Sequence, residues 1–165
     1  MGDYSNNSIW RLQLKSCDNN SIDISTYCLK NNVASMGWSL LNFAEERKSI
    51  TAFDKYYEIA KDTYDSIDNV IRLHDDVKEN DLIWIRSEGK YYLGRVTKES
   101  RWNFNASVEA SNLDASNQIS NIHWYQAGEY ADEESVPGAI NTAFFRGQTL
   151  QRINKTGIRE YSQLL

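Results

Sequence analysis

A single proline and only eight glycines in 165 residues leave no stretch with the composition of a flexible linker, so one domain over residues 1–165 is expected. Cysteine is scarce: Cys17 and Cys28 form no Cys-x-x-Cys pair, and the two histidines, His74 and His123, lie far apart. A zinc site therefore has no ligand set in the sequence, and both thiols are expected to be ordinary semi-buried groups. The segment Met1 to Ile9 is polar and lacks the apolar core of a secretory leader, which points to a reducing, cytoplasmic setting. Long apolar runs are missing and the mean hydropathy is −0.63, so neither a membrane span nor a membrane partner is expected. Catalytic signatures are missing as well. Gly37, Gly89 and Gly94 are isolated, with no phosphate-cradling loop around them, and no Gly-x-Ser-x-Gly elbow occurs. The carboxylate pairs Asp75-Asp76 and Glu133-Glu134 are sequence neighbours whose side chains diverge, unsuited to acid–base work. A non-enzymatic protein without a cofactor is the expectation.

What the chain does have is aromatic residues: 5 Trp, 10 Tyr and 5 Phe, 12% of the sequence. A small core rarely absorbs so many, and surplus rings suit stacking or interfaces. Ile9 to Lys15 alternates, with Trp10, Leu12 and Leu14 opposite Arg11, Gln13 and Lys15, as in a half-buried strand. Ser25 or Thr26 is placed to cap a short helix to about Lys30, and Val33 to Trp38 reads as a second strand. A helical insertion over about 51–79 follows. Thr51 and Asp54 resemble an acidic capping box for a helix carrying Phe53, Tyr56, Tyr57, Ala60 and Tyr64. The next helix sets Ile67, Val70, Ile71, His74 and Val77 on one stripe, making His74 a core or boundary histidine.

The period then changes to two. Leu82 to Arg86, the turn Ser87 to Lys90, and Tyr91 to Thr97 predict an antiparallel hairpin, with Gly94 marking a bulge or a close backbone approach. Residues 98–118 read as a polar loop containing Trp102 and Phe104, and Ile119 to Ala127 as one further strand with Trp124 in the core. An acidic loop, a Val136-Pro137-Gly138 turn, a strand or short helix over Ala139 to Phe145, a turn at Arg146 to Thr149 leading into Leu150 to Ile153, and a final helical turn from Ile158 complete the chain. Together these predict an α+β fold: a strongly curved antiparallel sheet or barrel of five or six strands with inserted helices.

The net charge of −5 is unevenly placed. Residues 53–81 and 129–134 are acidic, whereas Arg86, Lys90, Arg95, Lys98 and Arg101 make 84–104 basic, and Arg146, Arg152, Lys155 and Arg159 do the same for 146–160. The first basic stretch is interleaved with Trp84, Tyr91, Tyr92, Trp102 and Phe104. Cations neutralise phosphates and ring faces stack on unpaired bases, at ~1–3 kcal/mol per stack, so this combination suits nucleic acid. An ordinary hairpin with a basic turn and an aromatic core explains the same composition. Trp102, in a polar stretch, and Trp38, after Gly37, are the rings best placed to overhang a pocket.

The run Asn80-Asp81-Leu82-Ile83-Trp84-Ile85-Arg86, followed by Gly89-Lys90-Tyr91-Tyr92-Leu93-Gly94-Arg95-Val96, resembles the hairpin of the PUA-like superfamily, and within it the EVE/YTH type. That type includes N-terminal domains of McrB-like modification-dependent restriction systems. Leu14-Lys15-Ser16, Gly37-Trp38-Ser39, His123-Trp124, Val136-Pro137-Gly138 and Phe145 to Gln151 extend the resemblance over about residues 9–153. Cys17 stands where YTH domains usually have tyrosine, and Asn80 where the hairpin usually begins with glycine.

The resemblance implies a modified base flipped into an aromatic cage. Trp38 and Trp102 would be its walls, Ser39 would touch the base, and Ser16 and Cys17 would lie at the pocket. Lys15, Lys90, Arg95, Lys98, Arg101, Arg146 and Gln148 would face the nucleic-acid backbone. The expected function is a reader of a methylated base in DNA, serving a restriction or defence system whose motor or nuclease is a partner. An RNA-binding module reading methylated RNA is one alternative. A protein-interaction domain with the aromatics as core is another.

Overall fold

A computed structural model describes residues 7–14, 24–127, 138, 140, 144, 149–155 and 157–165. The class is α+β, but the strands form two sheets where a single curved one was expected. Among the described residues they do not close into a barrel. The chain divides into two compact units, interleaved in sequence: residues 1–13, 77–100 and 121–165 in the first, 14–76 and 101–120 in the second.

The first unit is built on strands β1 (Ile9–Leu12), β3 (Leu82–Ser87), β4 (Lys90–Val96), β7 (Ile122–Gln126) and β8 (Leu150–Arg152), ordered β7-β4-β3-β1-β8. The β1/β3 pair is parallel and the others are antiparallel. β1 is therefore internal, and all four of its residues are buried, whereas its alternation predicts a half-solvated strand. Arg11 is buried with them, its guanidinium donating to Gln13 Oε1 and Gln151 Oε1 at 3.1 Å each. Burial lowers its pKa from the ordinary arginine value.

One face of this sheet carries Ile9, Leu82, Trp84, Tyr91 and Leu93, packed with Ala127, Ile140, Phe144 and Ile158. Helix α5 (Ile158–Leu164) is fastened to it through Trp84, whose indole donates to Ser162 Oγ at 2.9 Å and stacks on Tyr161. Buried Asp81 ties the sheet's end, accepting from Ser8 N, Lys78 N and Trp10 Nε1, each at 2.9 Å.

The hairpin forms as its period predicts, in continuous register from Leu82↔Arg95 to Ser87↔Lys90. Glu88 (φ 52°) and Gly89 (φ 79°) supply the two left-handed residues that a tight two-residue turn needs. Gly94 marks close approach and no bulge. A Cβ there would lie 2.6 Å from the Trp124 ring and 2.7 Å from Ile122. Trp124, expected in the core, is half-buried over that glycine, while its strand neighbour Ile122 is fully buried.

The second unit holds the sheet β2-β6-β5: β2 (Ala34–Met36), β6 (Asn117–Ile119) and β5 (Trp102–Phe104), all antiparallel. Helices α1 (Ile24–Asn31), α2 (Phe53–Thr63), α3 (Asp68–Asp75) and α4 (Val108–Asn112) belong to it, with a 3-10 turn at Glu46–Ser49. Ser25 is buried inside α1 and does not cap it, and Asn32 (φ 56°) ends that helix. No capping box forms at Thr51, because Ala52 occupies the N-cap without a side-chain hydrogen bond.

The stretch expected as a polar loop carries β5 and α4. The strand expected over Ile119 to Ala127 is two strands in different sheets, broken at Asn121 (φ 55°). Cys28 is buried, with its Sγ accepting from Ser35 N at 3.3 Å. No described helix is long and apolar enough to cross a membrane, and no described cluster of His, Cys, Asp or Glu is arranged to hold a metal ion.

Candidate functional site

The second unit concentrates aromatic side chains on one face of its short sheet. Register places Trp102 beside Ile119 and Phe104 beside Asn117, so Trp102, Phe104, Asn117 and Met36 share that face. Helix α2 lays Phe53 and Tyr56 over it. Tyr56 is fully buried, with its ring 6.0 Å from Trp102 and 5.5 Å from Phe104. Phe53 meets Trp102 edge-on at 5.1 Å, and His74 stacks flat on Phe53 at 3.9 Å with its own edge toward Trp102.

Of the two places expected for His74, core or boundary, it takes the boundary. α3 buries Val70 and Leu73, and Val77 lies beyond its end. His74 is exposed at the boundary, its Nδ1 2.6 Å from Asp75 Oδ1. Trp102 is half-buried on a strand and does not lie in a loop, and its indole Nε1 is enclosed without a hydrogen-bond partner. Asn117 Oδ1, on the same sheet face, is likewise enclosed and unpartnered. Buried polar atoms are rarely left so, because each costs about 1–3 kcal/mol.

Next to these rings runs the turn Gly37 to Leu40. Trp38 (φ 55°) and Leu40 (φ 54°) both adopt left-handed backbone, at roughly 1–2 kcal/mol each for side chains of this size. Side chains hold the turn in place. Asn117 Nδ2 donates to the Gly37 carbonyl at 2.7 Å and to the Trp38 carbonyl at 3.2 Å, and the Tyr56 hydroxyl donates to the Trp38 carbonyl at 2.8 Å. Leu40 N–H donates to the Tyr64 hydroxyl at 2.9 Å. Ser39 N–H donates to Asp114 Oδ1 at 3.2 Å, and its hydroxyl accepts from Ser116 N at 3.0 Å. Its carbonyl accepts from Arg47 Nε at 3.0 Å. A Cβ at Gly37 would come within 2.9 Å of Asp114 Oδ2, so a larger residue there would have to displace the carboxylate that accepts from Ser39 N–H. Burial raises the Tyr56 and Tyr64 phenols, opposed at Tyr56 by the Asn117 amide and at Tyr64 by the Leu40 N–H.

Comparison with protein-family models, curated proteins and solved structures gives no match.

Of the residues singled out in the sequence, Trp38, Ser39 and Trp102 come together in the second unit. Tyr56 joins the two tryptophans, holding the Trp38 carbonyl through its hydroxyl while its ring lies against Trp102. Ser39 corrects expectation. It is fully buried, and its N–H, carbonyl and hydroxyl all engage the turn's own supports instead of facing a ligand. Arg101, directly before Trp102, is exposed in the same unit. Lys90 and Lys98 are exposed and Arg95 half-buried in the first unit. Lys15, Ser16, Cys17, Arg146 and Gln148 lie outside the described residues, as does most of the 128–148 stretch.

Sequence reasoning missed Arg47, Asp114 and Asn117. Arg47 sits in Glu45-Glu46-Arg47-Lys48, which looks like a solvated turn, and the other two lie in an Asn- and Ser-rich stretch. Phe53 and Tyr56 were visible only as a helical stripe.

Proposed function

We propose that this protein is a non-enzymatic reader of a modified, methylated base in DNA, binding the base extruded from its stack against Trp38 and Trp102. It would act as a specificity module for a restriction or defence partner, in the manner of a PUA-like, EVE/YTH-type domain. One observation carries most of the weight: Tyr56 ties the strained Trp38 turn and the half-exposed Trp102 ring into a single arrangement. Backbone strain on a bulky aromatic, held by so many side chains, is the kind of cost that functional geometry sustains.

The chemistry is consistent with a base. Ring faces offer stacking, and the Trp102 N–H and Asn117 Oδ1, unpartnered but enclosed, would meet a base edge only once the site opens around it. The Watson–Crick edge of every nucleobase, freed on extrusion, presents a donor beside an acceptor. Extrusion costs a few kcal/mol, which stacking at ~1–3 kcal/mol per ring offsets together with roughly 0.8 kcal/mol for a buried methyl group. Exposed Arg101, next to Trp102 in sequence, suits a phosphate contact.

The test is a fluorescence-anisotropy titration with DNA and RNA oligonucleotides, each with and without a methylated base, at two salt concentrations. Tighter binding to methylated DNA, weakening as salt rises, is the expected result. Preference for methylated RNA would move the assignment to the RNA-reading alternative. No binding to any of them would leave the aromatics as core and the protein-interaction reading in force.

A further inference from the structure

We infer that Arg47 is the positioning residue for Trp38, and that it sets the preference for the modified base without touching it. This rests on the base-reading function proposed above. Arg47 is buried, yet it forms no ion pair with a carboxylate among the described residues. Its guanidinium spreads over three neutral acceptors: Nε to the Ser39 carbonyl at 3.0 Å, one terminal nitrogen to Ser111 Oγ at 2.5 Å, the other to Ser116 Oγ at 2.7 Å. Its plane also lies over the Phe104 ring, 5.4 Å from the centroid, and Phe104 in turn packs on Tyr56.

Burying a cation among hydroxyls and a carbonyl is expensive, and burial does lower this guanidinium's pKa, with Asp114 partly restoring it. Such a cost is unusual where a turn only has to close. The acceptors explain it. Ser39 lies between the two left-handed residues, Trp38 and Leu40, and Ser116 donates its own backbone N–H to the Ser39 hydroxyl. Arg47 therefore grips Ser39 from its carbonyl and through Ser116, while Asp114 accepts its N–H from the other side. With Ser39 fixed at all three of its polar groups, the peptide carrying Trp38 has one orientation available. These three acceptors sit on three different nitrogens of a planar fork, whereas an ammonium gathers its three donors on one atom. A lysine ammonium keeps the charge but not that geometry.

The experiment is a double-mutant cycle on affinity for methylated and unmethylated oligonucleotides, using wild type, Arg47→Lys, Trp38→Ala and the double variant. Indole N–H resonances of ¹⁵N-labelled protein are read in parallel, with the Trp38 signal identified by its loss in Trp38→Phe. A hydrogen bond to a charged group contributes enough that Arg47→Lys is expected to lower the preference for the methylated oligonucleotide about tenfold or more. In the Trp38→Ala background the same change should have no effect, because Arg47 acts only through Trp38. The Trp38 indole signal should move or broaden while those of Trp10 and Trp84 stay fixed.

Additive losses in the cycle, or an unmoved Trp38 signal, would overturn the inference. If Arg47→Lys does not fold, Ser111→Ala removes one acceptor only and should give a smaller loss in the same direction. A wild-type protein with no preference for methylated bases would sink the proposed function, and the indole signals would still decide whether Arg47 positions Trp38.

Discussion

Tyr56 is the residue on which the site turns, because its ring packs on Trp102 while its hydroxyl holds the Trp38 carbonyl. Replacing it with phenylalanine keeps the ring against Trp102 and removes the hydrogen bond to the Trp38 carbonyl. A loss of about 1 kcal/mol in stability is expected, measurable by urea unfolding with an unchanged m-value. Tyr56→Ala empties space in the centre of the second unit and should cost about 3–5 kcal/mol. The helical stripe in the sequence already exposed Tyr56 as a buried ring, but its hydroxyl's partner comes from a turn 18 residues earlier, which periodicity cannot reveal. Arg47 was less legible still. Between two glutamates and a lysine it has the composition of solvent-facing sequence, and only the fold brings Ser111 and Ser116 to it.

Legibility at the scale of elements follows length and regularity. The β3/β4 hairpin was plain because its period of two continues on both sides of a turn with a glycine in the second left-handed position. Glu88 occupies the first, where asparagine is favoured, so Glu88→Asn is expected to raise Tm, with a gain of a few tenths to about 1 kcal/mol. Gly94→Ala should act in the opposite sense: its methyl would press on Trp124 and Ile122, costing about 1–3 kcal/mol in thermal unfolding.

β5 and β6 were hidden because three-residue strands are too short to show alternation, and both sit among asparagines and serines. The break at Asn121 carries neither glycine nor proline, so the sequence joins two strands that belong to separate sheets. β1 alternates like a half-solvated strand, yet it is internal because β8 arrives from the far end of the sequence.

At the scale of the whole molecule, buried phenols make an alkaline limit to stability. Burial raises Tyr27, Tyr56 and Tyr64 above the ordinary value of 10.0. Once the pH passes about 10, the unfolded chain loses these protons while the native state retains them, so stability falls with rising pH. Below that range both states are protonated and these groups add no pH dependence. A Tm that is level up to about pH 9 and declines beyond it, with a shallower decline in Tyr56→Phe, is the expected profile; a flat profile to pH 11 would contradict the burial of these phenols.

The charge balance belongs to this scale as well. A net −5 disfavours indiscriminate attachment to polyanions, so the proposed affinity for nucleic acid would have to come from a site and not from the overall field. The measurement that bears most directly on this is the ratio of affinities for one DNA oligonucleotide with and without its methylated base, compared among wild type, Trp38→Ala and Trp102→Ala. Losing one stacking face should lower affinity for the methylated form about tenfold to a hundredfold and bring the ratio close to one, leaving weak, salt-sensitive binding. A ratio of one in the wild type, or one that survives both substitutions, would contradict a base held against these two rings.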